Sequence, residues 1–157
     1  MDYTNRTDAY TRNSIRNHVI PYLKKEVNPK VVEHMCETME QLRQVQEFLD
    51  EQVELHWEKS VVEIGKGYSL IEEQYRQVPE AIRPLLLKKM LMKVSGKEKD
   101  LESVHVKQLQ ELLEKQVGRK LDLPYQMEGK RTYQGITVCS KEIQEWDQVS
   151  EMCFDVN

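Results

Sequence analysis

Residues 29–61 read PKVVEHMCETMEQLRQVQEFLDEQVELHWEKSV, the longest stretch of the chain with regular apolar spacing. Apolar side chains recur there at alternating steps of four and three around Gln46, which places them on one face of an α-helix. Asn28-Pro29 is typical of an N-cap and the first helical residue. The spacing predicts one long amphipathic helix from residue 29 to the neighbourhood of Gly65. Its apolar face comprises Val32, Met35, Met39, Leu42, Leu49, Val53, Trp57 and Val61.

Downstream of this helix, Gly65-Lys66-Gly67 is expected to end it. Residues 68–71 fit either an extended segment or the first turn of another helix. Two shorter helices should follow. The first runs from Pro79 to Ser95-Gly96, and the second runs from a cap at Ser103 to Gly118.

After Gly118 the spacing changes to alternation. Residues 120–124 alternate in polarity, and residues 130–138 contain β-formers around a Gln134-Gly135 turn. The predicted fold class is mainly α, with one long amphipathic helix in a helical domain and a small β ribbon near the C-terminus.

Upstream of Pro29, Asp8 is a candidate N-cap for a helix that carries Ile15, Val19, Ile20 and Leu23. Pro21 should kink or divide that helix, because proline lacks an N–H and crowds the preceding turn.

Composition limits the classes of protein that fit. The chain has 157 residues, 39% hydrophobic and 32% charged, with only 6 glycines and 5 prolines, a balance that favours a helical protein. No apolar run reaches the roughly 18 residues of a membrane span, so we expect a cytoplasmic protein without membrane contact. The three cysteines and four histidines lack disulfide or metal-ligand spacing, so no metal site is expected.

Charge is unevenly distributed although the formal net charge is only −4. Residues 6–30 are basic, residues 33–58 are acidic, and a second basic cluster lies further on. An acidic total argues against binding of nucleic acid, DNA included, by bulk charge, but the second cluster could still contact phosphate groups. The alternative is a solvated helix face. This cluster consists of Arg83, Lys88, Lys89, Lys93 and Lys97, continued by Lys99.

The N-terminal segment carries the most specific pattern. Arg12 and Arg16 are four residues apart, so on a helix both project from one side and can grip a phosphate or a carboxylate. Asn13 stands between them. Around them lie Asp2, Asn5, Asp8, Tyr10 and Pro21.

This arrangement resembles the signature of the tRNA(Ile)-lysidine synthetases, in which Asp-x-x-Asn leads into Tyr-x-Arg-Asn-x-x-Arg and an apolar pair before proline. The resemblance continues in a helix with an early histidine (His105), a Leu-x-Leu-Pro strand (residues 121–124) and an Arg-x-Tyr strand (residues 131–133). Ser14 departs from it, since the family commonly has a second arginine there.

The resemblance implies an organisation of the chain. Residues 1–24 would be the end of the catalytic-domain signature and a connecting helix, and residues 25–118 a helical substrate-side domain. Residues 119–157 would be a short β linker region towards a further domain. The family's catalytic domain uses a PP-loop, Ser-Gly-Gly-x-Asp-Ser, which this sequence lacks. A truncated product or an excised fragment, inactive alone, is therefore expected.

The resemblance also implies an activity and its partners. The complete enzyme, with ATP and Mg, adenylates the carbonyl of the anticodon cytidine of tRNA(Ile), and the lysine amine then displaces AMP. This chain would position the tRNA, and the second basic cluster would be a candidate contact to its phosphates. Arg12, Asn13 and Arg16 would lie beside the active site, with no catalytic residue and no cofactor held by this chain alone. The partners would be tRNA(Ile) and the PP-loop domain, and a homodimer is left open.

Two other classes of function compete with this one. The first is a free-standing helical protein–protein interaction module whose long helix pairs with a partner helix. Exposure of the apolar face formed by Met35, Met39, Leu42 and Leu49 would favour it, whereas burial against the two following helices would favour the synthetase segment. The second is an RNA-binding adaptor that uses residues 83–99, although that region lacks aromatic residues for base stacking.

Overall fold

A computed structural model describes residues 10–97, 99 and 101–141. The chain divides into two compact units, residues 1–48 and residues 49–157. The predicted N-cap Asp8 lies outside the described residues, as do Asp2 and Asn5. No helix among the described residues is long and apolar enough to cross a membrane.

The first unit contains a helical segment, α1, that runs from residue 10, the first described, to Val27. Its backbone continues through Pro21, so the predicted division at this residue is not observed. Wider π-helical turns, Ile15–Val19 and Leu23–Val27, flank the proline, and they alter the hydrogen-bonding pattern where proline cannot donate. Asn28 then turns extended and ends α1.

A second helix, α2, spans Val31–Ser60 and is the long helix predicted from the apolar spacing. Asn28 acts as its cap, since its Oδ1 accepts a hydrogen bond from the Lys30 N–H at 2.9 Å. The prediction that α2 extends to Gly65 is wrong. The helix ends at Ser60, and the next residues form a strand, β1, over Val61–Ile64.

A tight hairpin explains this early end. Gly65 and Lys66 form the turn between β1 and a second strand, β2, over Gly67–Ile71, and Gly65 takes a left-handed φ of 50°. A Cβ on Gly67 would lie 2.2 Å from the Val138 carbonyl oxygen, so only glycine fits there. Residues 68–71, for which the sequence allowed either an extended segment or a helical turn, are therefore extended.

The β structure is larger than the predicted small ribbon. The second unit holds a five-stranded antiparallel sheet in the order β1-β2-β5-β4-β3, where β3 is Lys120–Leu123, β4 is Met127–Arg131 and β5 is Gly135–Ser140. The fold is still dominated by helix, but it carries a substantial sheet. The prediction missed β1 because it assigned residues 61–64 to the long helix, and it left residues 68–71, most of β2, open between an extended segment and a helical turn.

Three helices connect the two parts of the sheet. A short helix, α3, covers Glu72–Gln77; α4 covers Arg83–Ser95 and α5 covers Ser103–Leu113. Helix α4 begins four residues after the predicted Pro79 and ends at the predicted Gly96, whose φ of 65° allows the left-handed cap. Helix α5 starts as predicted but stops short of Gly118, with Glu102 rather than Ser103 as its cap.

The core lies between α4, α5 and one face of the sheet. Leu86, Leu87, Met90 and Leu91 of α4 and Leu109 of α5 are fully buried. Their partners on the sheet face are Leu70, Met127, Ile136 and Val138, which are buried as completely. Each such side chain contributes roughly 1.5–3 kcal/mol through its removal from water.

A partly buried ion pair links α3 to the sheet. The Arg131 guanidinium donates to Glu72 Oε2 at 2.5 Å and also to the carbonyl oxygens of Thr132 and Gly135. Glu72 also accepts from Arg76, and these bonds hold the pKa of its carboxyl below the ordinary value, with Arg76 the largest cause. The pair fixes the start of α3 against β4 and the β4–β5 turn.

The turn between β3 and β4 stores backbone strain that a substitution should release. Tyr125 and Gln126 both take left-handed φ values, 59° and 57°, without being glycine, and Gln126 is exposed. We expect Gln126→Gly to raise the free energy of unfolding by about 1 kcal/mol, because glycine adopts this conformation without steric cost. Urea denaturation of the full chain measures the change.

Gln116→Gly is the matched control for this prediction, since Gln116 is exposed and has a negative φ. It should leave stability unchanged or lower it. If Gln126→Gly behaves like this control, the turn is not strained.

Candidate functional site

Arg12 and Arg16 of α1 line a single open depression of 540 Å³, together with Thr11, Ile15 and Ile20. The separation of four residues brings the two guanidinium groups to one side of the helix, as the sequence predicted. Both arginines are exposed. The depression therefore presents two permanent positive charges beside apolar isoleucine side chains.

Asn13 is exposed on the same helix but is not part of the lining of this depression. The structure thus brings together two of the three predicted active-site-adjacent residues. Asp2, Asn5 and Asp8 of the same signature lie outside the described residues, so the structure describes the signature only from Tyr10 onwards. The role of Arg12, Asn13 and Arg16 beside an active site stays a prediction.

The apolar side chains of the first unit are unusually exposed. No residue from 10 to 48 is buried. On α2, Met35 is 52% exposed, Met39 69% and Leu42 63%, whereas Leu49 and Val53 of the second unit pack into the core. The apolar face of α2 is therefore divided, with its C-terminal part buried and its N-terminal part exposed to solvent.

In the second unit, the predicted basic cluster includes lysines that already have partners. Lys89 forms an ion pair with Glu54 of α2, and its Nζ lies 4.9 Å from the centroid of the Trp57 ring. Trp57 in turn makes an edge contact with Tyr68, with ring centroids 5.2 Å apart. The Lys89 side chain is only 18% exposed, so it joins α2 to α4 and presents little surface to a phosphate.

Arg83 also serves the fold. Its Nε donates to the Val78 carbonyl oxygen at 2.9 Å, its Nη2 donates to the Arg76 carbonyl oxygen at 2.7 Å, and its guanidinium lies over the Tyr75 ring. These contacts hold the turn between α3 and α4. The hydrogen bonds are directional, so the guanidinium is oriented towards the protein.

The remaining lysines of the cluster differ in their surroundings. Lys97 places its Nζ 4.8 Å from the centroid of the Tyr125 ring. Lys88 lines an apolar groove between α4 and α5, and Lys93 is exposed on α4. The predicted contact of these five side chains with tRNA stays a prediction, and Lys93 and Lys97 are its most exposed members.

Two titratable groups among the described residues have structural surroundings. Burial raises the pKa of the Cys139 thiol to about 11, with a further contribution from Glu128, so this thiol stays protonated near neutral pH. His105 accepts a hydrogen bond at Nδ1 from the Glu102 N–H at 3.1 Å, which makes it part of the cap of α5. Within residues 10–97, 99 and 101–141, no group of three acidic, histidine or cysteine side chains could hold a metal ion.

The contacts of Lys89 and Arg83 carry no local signal in the sequence and were not predicted. Trp57 was interpreted as part of an apolar helix face, and its distance of 32 residues from Lys89 leaves no local signal. The ion pair between Glu72 and Arg131 was missed for the same reason, because 59 residues separate its members.

The comparisons with known proteins agree on one relationship. No family model matches the chain. The tRNA(Ile)-lysidine synthase of Caldanaerobacter subterraneus subsp. tengcongensis is 28% identical over 145 residues, which cover 92% of this chain and 31% of that protein. The synthase of Dehalococcoides mccartyi is 28% identical over 127 residues, which cover 81% of this chain and 27% of that protein. The synthase of Enterococcus faecalis is 36% identical over 69 residues, which cover 44% of this chain and 15% of that protein.

These relatives are all synthases named for a tRNA. More specifically, this chain is homologous to a region of the tRNA(Ile)-lysidine synthases, which confirms the resemblance inferred from its N-terminal signature. The chain spans about a third or less of the length of the curated relatives named above.

The contacts of Lys89 predict that this residue stabilises the fold. Lys89→Glu places a second carboxylate beside Glu54 and removes the cation from the face of Trp57. We expect it to lower the free energy of unfolding by about 1–3 kcal/mol, as measured by urea denaturation.

Lys93→Glu is the matched control for Lys89→Glu, because it makes the same charge change one turn further along α4 at an exposed position. It should change stability by less than about 0.5 kcal/mol. Equal effects of the two substitutions would contradict the structural role of Lys89.

Proposed function

We propose that this chain is the substrate-side portion of a tRNA(Ile)-lysidine synthetase and positions tRNA(Ile) for the ligation of lysine. The observation that carries the proposal is the homology to these synthases over 78–92% of the chain in several relatives. The depression lined by Arg12 and Arg16 supports it further, since two guanidinium groups on one helix side suit a phosphate or a carboxylate. A protein with this role would act in the cytoplasm.

In this proposal the chain supplies binding and support rather than the reaction centre. ATP, with Mg, supplies the adenylate that activates the cytidine carbonyl. The sequence offers no glycine-rich loop whose backbone N–H groups could cradle the phosphates, so the nucleotide would be held mainly by a PP-loop domain. Arg12 and Arg16 would lie at the periphery of that pocket and stabilise negative charge there.

The exposed face of α2 supports a second candidate function. Met35, Met39 and Leu42 form an apolar stripe open to solvent, as expected for a helical module that pairs with another helix. Val53 of the same stripe is buried in the core and the partly buried Leu49 packs against it, as expected for the synthetase segment. The homology favours the first function, and an activity measurement can distinguish the two.

The test is reconstitution of lysidine formation from separate parts. The purified chain, mixed with ATP, magnesium, lysine and unmodified tRNA(Ile), should release no AMP above a boiled control, because it lacks a phosphate cradle. Addition of a separately expressed PP-loop domain from a relative should restore AMP release that depends on lysine and tRNA. Activity of the chain alone would refute the fragment interpretation, and no activity after addition would favour the interaction module.

Substitutions in the reconstituted system test the arginines. Arg12→Ala or Arg16→Ala should lower the restored activity by about tenfold or more, which corresponds to ~1.4 kcal/mol of lost transition-state stabilisation. His105→Ala is the control, since His105 caps α5 within the second unit. If all three substitutions lower activity equally, the arginines are structural struts rather than neighbours of the active site.

A further inference from the structure

A groove of 310 Å³ lies between α4 and α5 in the second unit. Its lining is mainly apolar, with Leu85 from α4, Leu101 from the loop before α5 and Val106 from α5. Leu101 and Val106 are almost fully buried, whereas Leu85 is partly exposed. The groove therefore offers an apolar floor large enough for one or two bulky side chains.

The charges beside the groove are mostly positive. Lys88 and Lys107 both line it, one from each helix. The one carboxylate among the lining residues belongs to Glu102, which takes part in the capping box with His105 at the start of α5. A segment that is both apolar and acidic has the chemistry that fits this groove.

The end of the chain has this chemistry. Residues 142–157 read EIQEWDQVSEMCFDVN, which contain five acidic residues and no lysine or arginine. Ile143, Trp146, Val149 and Met152 supply large apolar side chains among these acids. This segment, the acidic tail, lies outside the described residues.

The described chain ends close to the groove. The Lys141 N–H donates to the Gln126 carbonyl oxygen at 2.6 Å, and the hydroxyl of the adjacent Tyr125 donates to the Lys99 carbonyl oxygen at 2.5 Å. Leu101 of the groove follows Lys99 by two residues. This path of contacting groups sets an upper limit of roughly 28 Å on the distance from Lys141 to Leu101, whereas the 16 residues of the tail span about 50 Å when extended and the five residues up to Trp146 about 17 Å.

We propose that the acidic tail, residues 142–157, binds in the α4–α5 groove of its own chain. Its apolar side chains, Trp146 among them, lie on the floor formed by Leu85, Leu101 and Val106. Its carboxylates face Lys88 and Lys107. The tail would then cover Lys88, which belongs to the basic cluster predicted to contact tRNA, but the inference does not depend on the proposed function.

Trp146 provides a direct probe, because the chain has only one other tryptophan, Trp57. The emission of Trp146 is obtained by subtracting the spectrum of the Trp146→Phe variant from that of the full chain. In the parent chain we expect emission at short wavelength and weak quenching by acrylamide. The double variant Lys88→Glu/Lys107→Glu should shift the emission to longer wavelength and raise the quenching constant by about twofold or more, because like charges then repel the tail.

The matched control is Lys66→Glu/Lys115→Glu, which makes the same charge change at exposed lysines outside the lining of the groove. It should leave the Trp146 signal unchanged. Circular dichroism verifies that each variant is folded. Equal quenching of Trp146 in the parent and the groove variant would overturn the proposal.

A second pair of substitutions, made in the tail, tests the proposal even if the groove variant does not fold. Glu145→Lys/Asp147→Lys alters only the tail and should expose Trp146 by itself, and its combination with the groove variant should restore protection. Failure of the tail variant to expose Trp146 would contradict the proposal.

Dilution over about a hundredfold should leave the parent signal unchanged, since binding within one chain does not depend on concentration. A concentration-dependent signal would assign the tail to the groove of a second copy and overturn the proposal as stated.

Discussion

The packing of α4 and α5 on one face of the five-stranded sheet is the constraint on which the second unit depends. Leu86, Leu87, Met90 and Leu91 project from α4 at helical spacing and are excluded from water. Gly129 of β4 permits the close approach of α5, since a Cβ there would lie 3.3 Å from a Leu109 methyl carbon. An added methyl group at Gly129 would therefore require the nearby leucine side chains of α5 to shift by a few tenths of an ångström.

This packing also determines the positions of the charged side chains. Because α4 lies against the core, Lys89 meets Glu54 and Trp57 of α2, and Arg83 reaches the carbonyl oxygens that end α3. The exposed lysines of α4 and its C-terminal loop, Lys93 and Lys97, remain on the outer surface. The fold thus converts a basic stretch of sequence into structural contacts on one side and a smaller basic surface on the other.

The sequence predicted the helices better than the sheet, for a physical reason. The steps of four and three continue through Trp57, Val61 and Ile64, so apolar spacing alone could not separate the end of α2 from the start of β1. The β-branched residues at 61, 62 and 64 and the two glycines were the available signals for a hairpin. The order of the strands depends on pairing between distant residues, such as Leu70 with Ile136, which no local pattern encodes.

The candidate site was predictable to a similar extent. The common depression of Arg12 and Arg16 follows from a spacing of four on a helix. The contacts of Lys89 and Arg83 do not follow from spacing, because they require the tertiary packing of α2, α3 and α4. The division of the apolar face of α2 has the same origin, since the core reaches Leu49 and Val53 but no residue before them is buried.

Hydrogen exchange along the backbone tests this division most directly. The stable core lies within residues 49–141, whereas residues 31–48 of α2 have no buried side chain. Amides of β2, β5 and α4 should therefore exchange slowest, only through global unfolding, and those of residues 31–45 should exchange at least about tenfold faster through local opening. Protection of residues 31–45 equal to that of β5 would contradict the account, because it would mean that the first half of α2 is as firmly packed as the core.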